Sequence, residues 1–165
     1  MSVPKRFEGL IFRRRGIRSM DMPRLPRNHL PAEGIYHVTA RGTGSQPIFV
    51  TDLDWLDFLD LLERASHAAS WKCHAWCLMT THYHLVLETS LGPLSSGMHG
   101  LNATYAQRFN RRHDRRGHLF ESRFSAWVVR DEEHYEATCR YVLDNPARAG
   151  LDTPGRPWPW AAQLA

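Results

Sequence analysis

His82 and His84 flank a single tyrosine in HYHLVLET, a run that otherwise reads as protein core. Side chains alternate along a strand, so the two imidazoles share a face with Val86 and Glu88. Tyr83, Leu85 and Leu87 share the other face, which is fully apolar and therefore the better core face. Two rings about 7 Å apart along one strand can converge on a single ion. An H-x-H pair is weak evidence alone; a chance pair, or a histidine hydrogen-bonded at a sheet surface, is the more frequent explanation. Tyr141 and Asn145 are four residues apart, which puts them on one face of a helix, a turn from each other. An Asn carbonyl can join two histidines on a metal, and a Tyr hydroxyl beside it can reach a substrate bound there. The bland alternative for Tyr141 is a rim residue of an amphipathic helix. Cys73 and Cys77 fall on one face of an extended strand, but C-x-x-x-C spreads the sulfurs by roughly 13 Å. That is too wide for one tetrahedral site, so buried inert thiols are expected there.

A second constellation is electrostatic. Arg108, Arg111, Arg112, Arg115 and Arg116 oppose only Asp114 between residues 108 and 116. Phe109, Phe120, Phe124 and Trp127 interleave with this charge. Such a strip can follow phosphates while aromatic rings stack on bases; most of the aromatics, however, are expected in the core. Residues 1–30 carry eight lysines and arginines against Glu8 and Asp21, more than the net charge of +4 of the whole chain. Pro23, Pro26 and Pro31 oppose a helix in the second half of this segment, which reads as an extended basic arm.

The elements that must position these groups follow from periodicity. Residues 35–41 alternate as a strand, and Leu53, Leu56, Leu59, Leu61 and Leu62 recur at helical spacing after a Thr51 or Asp52 cap. Strands are expected over 71–79 and 82–89, joined by Thr80-Thr81, and a third over 118–130. A helix opened by Pro93 and a serine cap runs into the arginine cluster. The last helix starts on acidic residues at 131–133 and is expected to stop at Asn145-Pro146. The order β-α-β-β-α-β-α suits an α+β, ferredoxin-like antiparallel sheet with helices on one face.

Composition bounds the partners. With 165 residues, 42% hydrophobic and 23% charged, the chain is long enough for one domain with a real core, over 31–165, behind the arm. A pI of about 9.3 favours a polyanionic partner. No apolar run approaches the roughly 20 residues of a membrane-spanning helix. With three cysteines and no signal-peptide pattern, reduced thiols in a cytoplasm are expected.

YHVTARG, HAWCLMTTHYHLVLE, YAQRFNRRHDRRGHLFESRF and RYVLDNPARAGL occur in the order and spacing of single-tyrosine HUH transposases. The chain most resembles the REP-associated tyrosine transposases among them, over about residues 31–160. The resemblance implies an HUH nuclease fold with the catalytic tyrosine on a C-terminal helix. His82 and His84 match the metal-binding histidines, Asn145 the polar third ligand and Tyr141 the nucleophile. It further implies Mg2+ or Mn2+, single-stranded or hairpin DNA as substrate, a 5′-phosphotyrosine intermediate, and a monomer or homodimer on the bacterial nucleoid. Arg41 and Arg148, beside the first strand and the final turn, join the arginine strip as phosphate candidates. The Trp-containing tail RPWPWAAQL is expected to pack on the sheet. One departure stands next to the site: the family usually has Pro-Asn before the first histidine, where this chain has Thr80-Thr81. That departure keeps a domesticated, non-cutting nucleic-acid binder as the alternative, and a hydrolase that activates water on His82 and His84 is a further one.

Overall fold

A computed structural model of the chain describes residues 32–164, so the basic arm expected over 1–30 lies outside the described residues. Along the chain run β1 (Glu33–Arg41), α1 (Asp52–Ala69), β2 (Lys72–Leu78), β3 (His82–Ser90), α2 (Leu91–Arg112), β4 (Ser125–Val129), α3 (Glu132–Arg148) and β5 (Ala161–Gln163). The strands form one antiparallel sheet in the order β4-β1-β3-β2-β5.

Alternation sorts each strand into two faces. Tyr36, Val38, Trp76, Leu85 and Leu87 point to the face covered by α1 and α2, where Phe58, Leu62, Met98, Tyr105 and Phe109 complete the main core. This is the apolar face expected from HYHLVLET. Ala75, Cys77 and Val86 point the other way, against Cys139 and Val142 of α3. The expectation of helices on one face therefore holds for α1 and α2, whereas the tyrosine-bearing α3 crosses the opposite face. Its own apolar stripe is short, so it covers only part of the sheet and leaves the β1–β3 end of that face open.

Local chemistry explains the element ends. Thr51 caps α1 in a capping box with Asp54, whose Oδ2 accepts from the backbone N–H groups of Thr51 (2.8 Å) and Val50 (2.9 Å); such a cap contributes about 1 kcal/mol. Asn145-Pro146 does not stop α3. Pro146 is buried inside the helix, which runs on to Arg148 and closes at Gly150 with φ of +71°. There Leu151 N–H donates to Pro146 O (2.8 Å) and Gly150 N–H to Ala147 O (3.1 Å), the paired bonds of a Schellman motif. Pro146 has no N–H for Val142 O. One residue earlier, Asn145 Nδ2 donates to Tyr141 O at 2.8 Å.

Two further expectations are corrected and a third is refined. Residues 118–124 are not strand, apart from an isolated bridge between Phe120 and Gly42. Leu119 and Phe124 anchor that segment in the core without a period-two pattern. A register shift between Cys73 and Ala75 turns the two cysteines apart: Cys73 packs toward the main core and Cys77 lies in the α3 cluster. The C-terminal segment packs on the sheet as expected, but as β5 on the β2 edge, with Trp160 stacked on Trp55 (5.3 Å between centroids).

Candidate functional site

A cleft of about 520 Å³ opens where α3 leaves the sheet uncovered. His82, His84, Tyr141, Asn145, Arg41 and Arg148 all line it, together with Glu121, Ser122 and Arg123. The His82 and His84 rings lie 5.1 Å apart, nearly perpendicular, and the Tyr141 ring is edge-on to His84 at 5.8 Å. The Arg148 guanidinium carbon lies 5.2 Å from the centroid of the Tyr141 ring. Thus two strand residues and two helix residues, far apart in the chain, meet through the packing of α3 on β2 and β3.

Each histidine is held at Nδ1. Thr81 Oγ1 is 3.0 Å from His82 Nδ1, and His37 Nε2 on β1 is 2.9 Å from His84 Nδ1. Thr80-Thr81 forms the tight turn between β2 and β3, closed by Met79 N–H donating to His82 O (2.8 Å). It is further pinned from the loop after β1. Gly42 N–H donates to Thr81 O (2.9 Å), and Ile48 N–H to Thr80 O (2.9 Å). That loop has no room for a side chain at Gly42, where a Cβ would sit 2.2 Å from the carbonyl oxygen of Gln46. These backbone bonds fix the Thr80-Thr81 turn at the entry to β3.

The site favours uncharged imidazoles. Burial, with a smaller push from Arg41, lowers His82 to about 4. Burial and then the neighbouring His37, His82 and Arg41 hold His84 well below the ordinary histidine range. His37, 3% exposed, is lowered to about 4, again chiefly by burial. Neutral rings keep their lone pairs. His84 Nε2 is buried without a hydrogen-bond partner, an unusual state for a polar atom. Two imidazole nitrogens and an Asn oxygen are a donor set that fits a divalent cation. Asn145 lines the same cleft, and its Nδ2 donates to Tyr141 O. Among the described residues no group of three or more His, Cys, Asp or Glu side chains is placed to hold a metal.

The arginine strip divides. Arg108 pairs with Asp57 (2.6 Å), and Arg112 with Asp57 (2.9 Å) and the buried Asp54. Arg115 donates to Gln46 Oε1 at 2.6 Å. These three tie α2 and the turn that follows it to α1 and to the loop after β1, while Arg111 and Arg116 are exposed. None of the five lines the histidine cleft, where the cations are Arg41, Arg123 and Arg148. Two residues escaped the sequence reading. Alternation places His37 on the non-core face of β1, but its nearness to His84 needed the β1–β3 pairing, which sets it opposite Val86. Arg123 sits in a loop without periodicity and gave no signal.

The fold is shared with a solved transposase. A solved REP-associated tyrosine transposase bound to a REP hairpin superposes with a TM-score of 0.63 at 14% identity, over 89% of this chain and 82% of that one. A crystal structure from Deinococcus radiodurans aligns at a TM-score of 0.48 and 16% identity, over 71% of this chain and 93% of that one. No curated protein sequence matches. No helix among the described residues is long and apolar enough to cross a membrane. The family described as "Transposase IS200 like" matches residues 32–145, a span that includes β1 to β4, the histidine pair, Tyr141 and Asn145. The chain belongs to the IS200-like transposase family.

Proposed function

We propose that this transposase is a cation-dependent single-stranded DNA endonuclease and strand transferase that works through a covalent bond to Tyr141. One observation carries the reading: the unpartnered, buried Nε2 of His84 shares a cleft with the Tyr141 ring and Asn145. When bound by His82, His84 and Asn145, a divalent cation would polarise a phosphodiester and offset the charge that develops on it. The preference for Mg2+ or Mn2+ rests on the family resemblance, since imidazole ligands alone suit zinc, nickel or copper as well.

The chain's own residues account for the rest. Tyr141 Oη attacks phosphorus and loses its proton, while the P–O3′ bond breaks and the departing 3′ oxygen takes one up. The products are a 5′-phosphotyrosine and a free 3′-hydroxyl. The bond formed replaces the bond broken, so another 3′-hydroxyl can reverse the step without ATP. Arg148 beside the Tyr141 ring, with Arg41 and Arg123 in the same cleft, holds the phosphate against the nucleophile. A hairpin-associated substrate is supported by the REP hairpin in the solved relative, whereas a place on the bacterial nucleoid rests on the family resemblance alone.

The test is a covalent adduct. Labelled hairpin single strands are incubated with the protein and Mn2+, then resolved under denaturing conditions. A protease-sensitive shifted band is expected with wild type and absent with Tyr141→Phe. No adduct with any hairpin would favour a non-cutting binder on this fold. Cleavage that survives Tyr141→Phe would favour a hydrolase using water.

A further inference from the structure

We infer that His37 is a positioning residue that accepts the Nδ1 proton of His84 and so keeps the Nε2 lone pair of His84 aimed into the cleft. The inference rests on His84 being a cation ligand, and it adds a third histidine that acts only through the second.

The geometry is specific. His37 Nε2 lies 2.9 Å from His84 Nδ1, and the two rings stack at 5.1 Å with 23° between their planes. Two neutral arrangements fit that contact. If His37 Nε2–H donates, the remaining proton of His84 is on Nε2, buried and without an acceptor, and His84 has no lone pair for a cation. If His84 Nδ1–H donates, its Nε2 lone pair faces the cleft that Tyr141 and Asn145 line. Only the second arrangement lets His84 serve as a ligand. It leaves the proton of His37 on Nδ1, which is also buried without a hydrogen-bond partner. A buried polar atom left unpaired costs about 1–3 kcal/mol. An apolar residue at this position would avoid that cost, so the histidine is explained by what its other nitrogen does.

His82 has a parallel arrangement. Thr81 Oγ1, 3.0 Å from Nδ1, can accept that proton and free the His82 Nε2 in the same sense. The two histidines are therefore steered alike, one by a hydroxyl on its own strand end and one by an imidazole on the neighbouring strand. His37 also meets the Tyr141 ring edge-on at 5.9 Å, so a single buried ring supports both the ligand and the proposed nucleophile. Outer partners of metal-bound histidines commonly change metal affinity by 10–100-fold.

The experiment uses the full chain, 15N-labelled at histidine and stripped of metal with a chelator. Long-range 1H–15N spectra identify the protonated nitrogen of each neutral ring, with His84→Ala assigning the His84 signals. Wild type should show His84 protonated at Nδ1. His37→Phe, which has no acceptor, should move the proton to Nε2, and His37→Gln, which offers a carbonyl oxygen, should restore it to Nδ1. Mn2+ binding followed by electron paramagnetic resonance should weaken ten- to a hundredfold in His37→Phe and recover most of that loss in His37→Gln. A wild-type His84 protonated at Nε2 would overturn the inference, and this measurement needs no variant of His37. So would a His37→Phe variant that binds Mn2+ as wild type does while His84→Ala does not. If His84→Ala itself binds Mn2+ as wild type does, the ligand reading fails instead.

Discussion

Acid should weaken this fold through its buried histidines. His37 ionises at about 4 in the folded chain because burial disfavours its charged form, against about 6.5 for an exposed histidine. Below pH 6.5 the unfolded chain binds a proton that the folded chain refuses, so stability falls with pH until about 4 and then levels off. The gap corresponds to at most about 3.4 kcal/mol, at 1.36 kcal/mol per pH unit. Between pH 7 and 5 the loss from His37 is about 2 kcal/mol, a large share of the 5–15 kcal/mol typical of a domain. His84 is shifted in the same direction and adds to the loss. The assay is urea unfolding at both pH values in the presence of a chelator, for wild type and His37→Phe. For a slope of about 2 kcal/mol/M, the fall in midpoint between pH 7 and 5 should be smaller by about 1 M in the variant. Removing His37 also relieves His84 of its neighbour, which acts in the same sense. A variant that keeps the full wild-type pH dependence would refute the reasoning.

The remaining predictions concern groups around the cleft and the arginine strip. Thr81→Val removes the hydrogen bond at His82 Nδ1 and should raise the Mn2+ concentration needed for half-maximal cleavage about tenfold, with denaturant stability changed by under about 1 kcal/mol; an unchanged metal requirement would remove Thr81 from the site. Arg148→Ala should weaken hairpin binding and make its salt dependence shallower by about one ion. Arg108→Ala should leave that slope unchanged, because its partner is Asp57; equal slopes for both variants would contradict the division of the arginines. Asp54→Ala strips partners from Arg112, His113 and the α1 cap and should cost about 3–5 kcal/mol in urea unfolding, whereas a loss under about 1 kcal/mol would show the cluster to be solvent-screened.

Strong periodicity made much of this readable in advance. β1, α1, β2, β3 and α2 lie close to their expected places because alternating or helical apolar residues mark them, and the family resemblance is borne out. Where the reading failed, long-range geometry or a local exception decided. Pro146 reads as a stop, yet Asn145-Pro146 lies within a helix whose end is set by Gly150. The separation of Cys73 from Cys77 depends on a register shift that neither cysteine signals. Arg108 and Arg112 look like a free basic strip until α1 supplies Asp54 and Asp57 from more than fifty residues away. His37 and His84 become neighbours only through strand pairing. Of the candidate site, His82, His84, Tyr141 and Asn145 were legible as residues, while the cleft that gathers them was not.

The two-sided sheet has a mechanical consequence. Tyr141 rides on α3, whose hold on the sheet is the small cluster of Ala75, Cys77, Met79, Val86, Cys139 and Val142. Sub-global openings follow the boundary with fewest buried apolar contacts, and here that boundary runs between the proposed nucleophile and the histidines. Lifting α3 would separate Tyr141 from His84 while α1, α2 and their aromatic core stayed folded. Native-state hydrogen exchange should then find the α3 amides opening at lower free energy than those of α1, as a unit. A DNA end joined to Tyr141 would travel with that helix, so the hinge of the fold is also a lever on whatever the tyrosine carries.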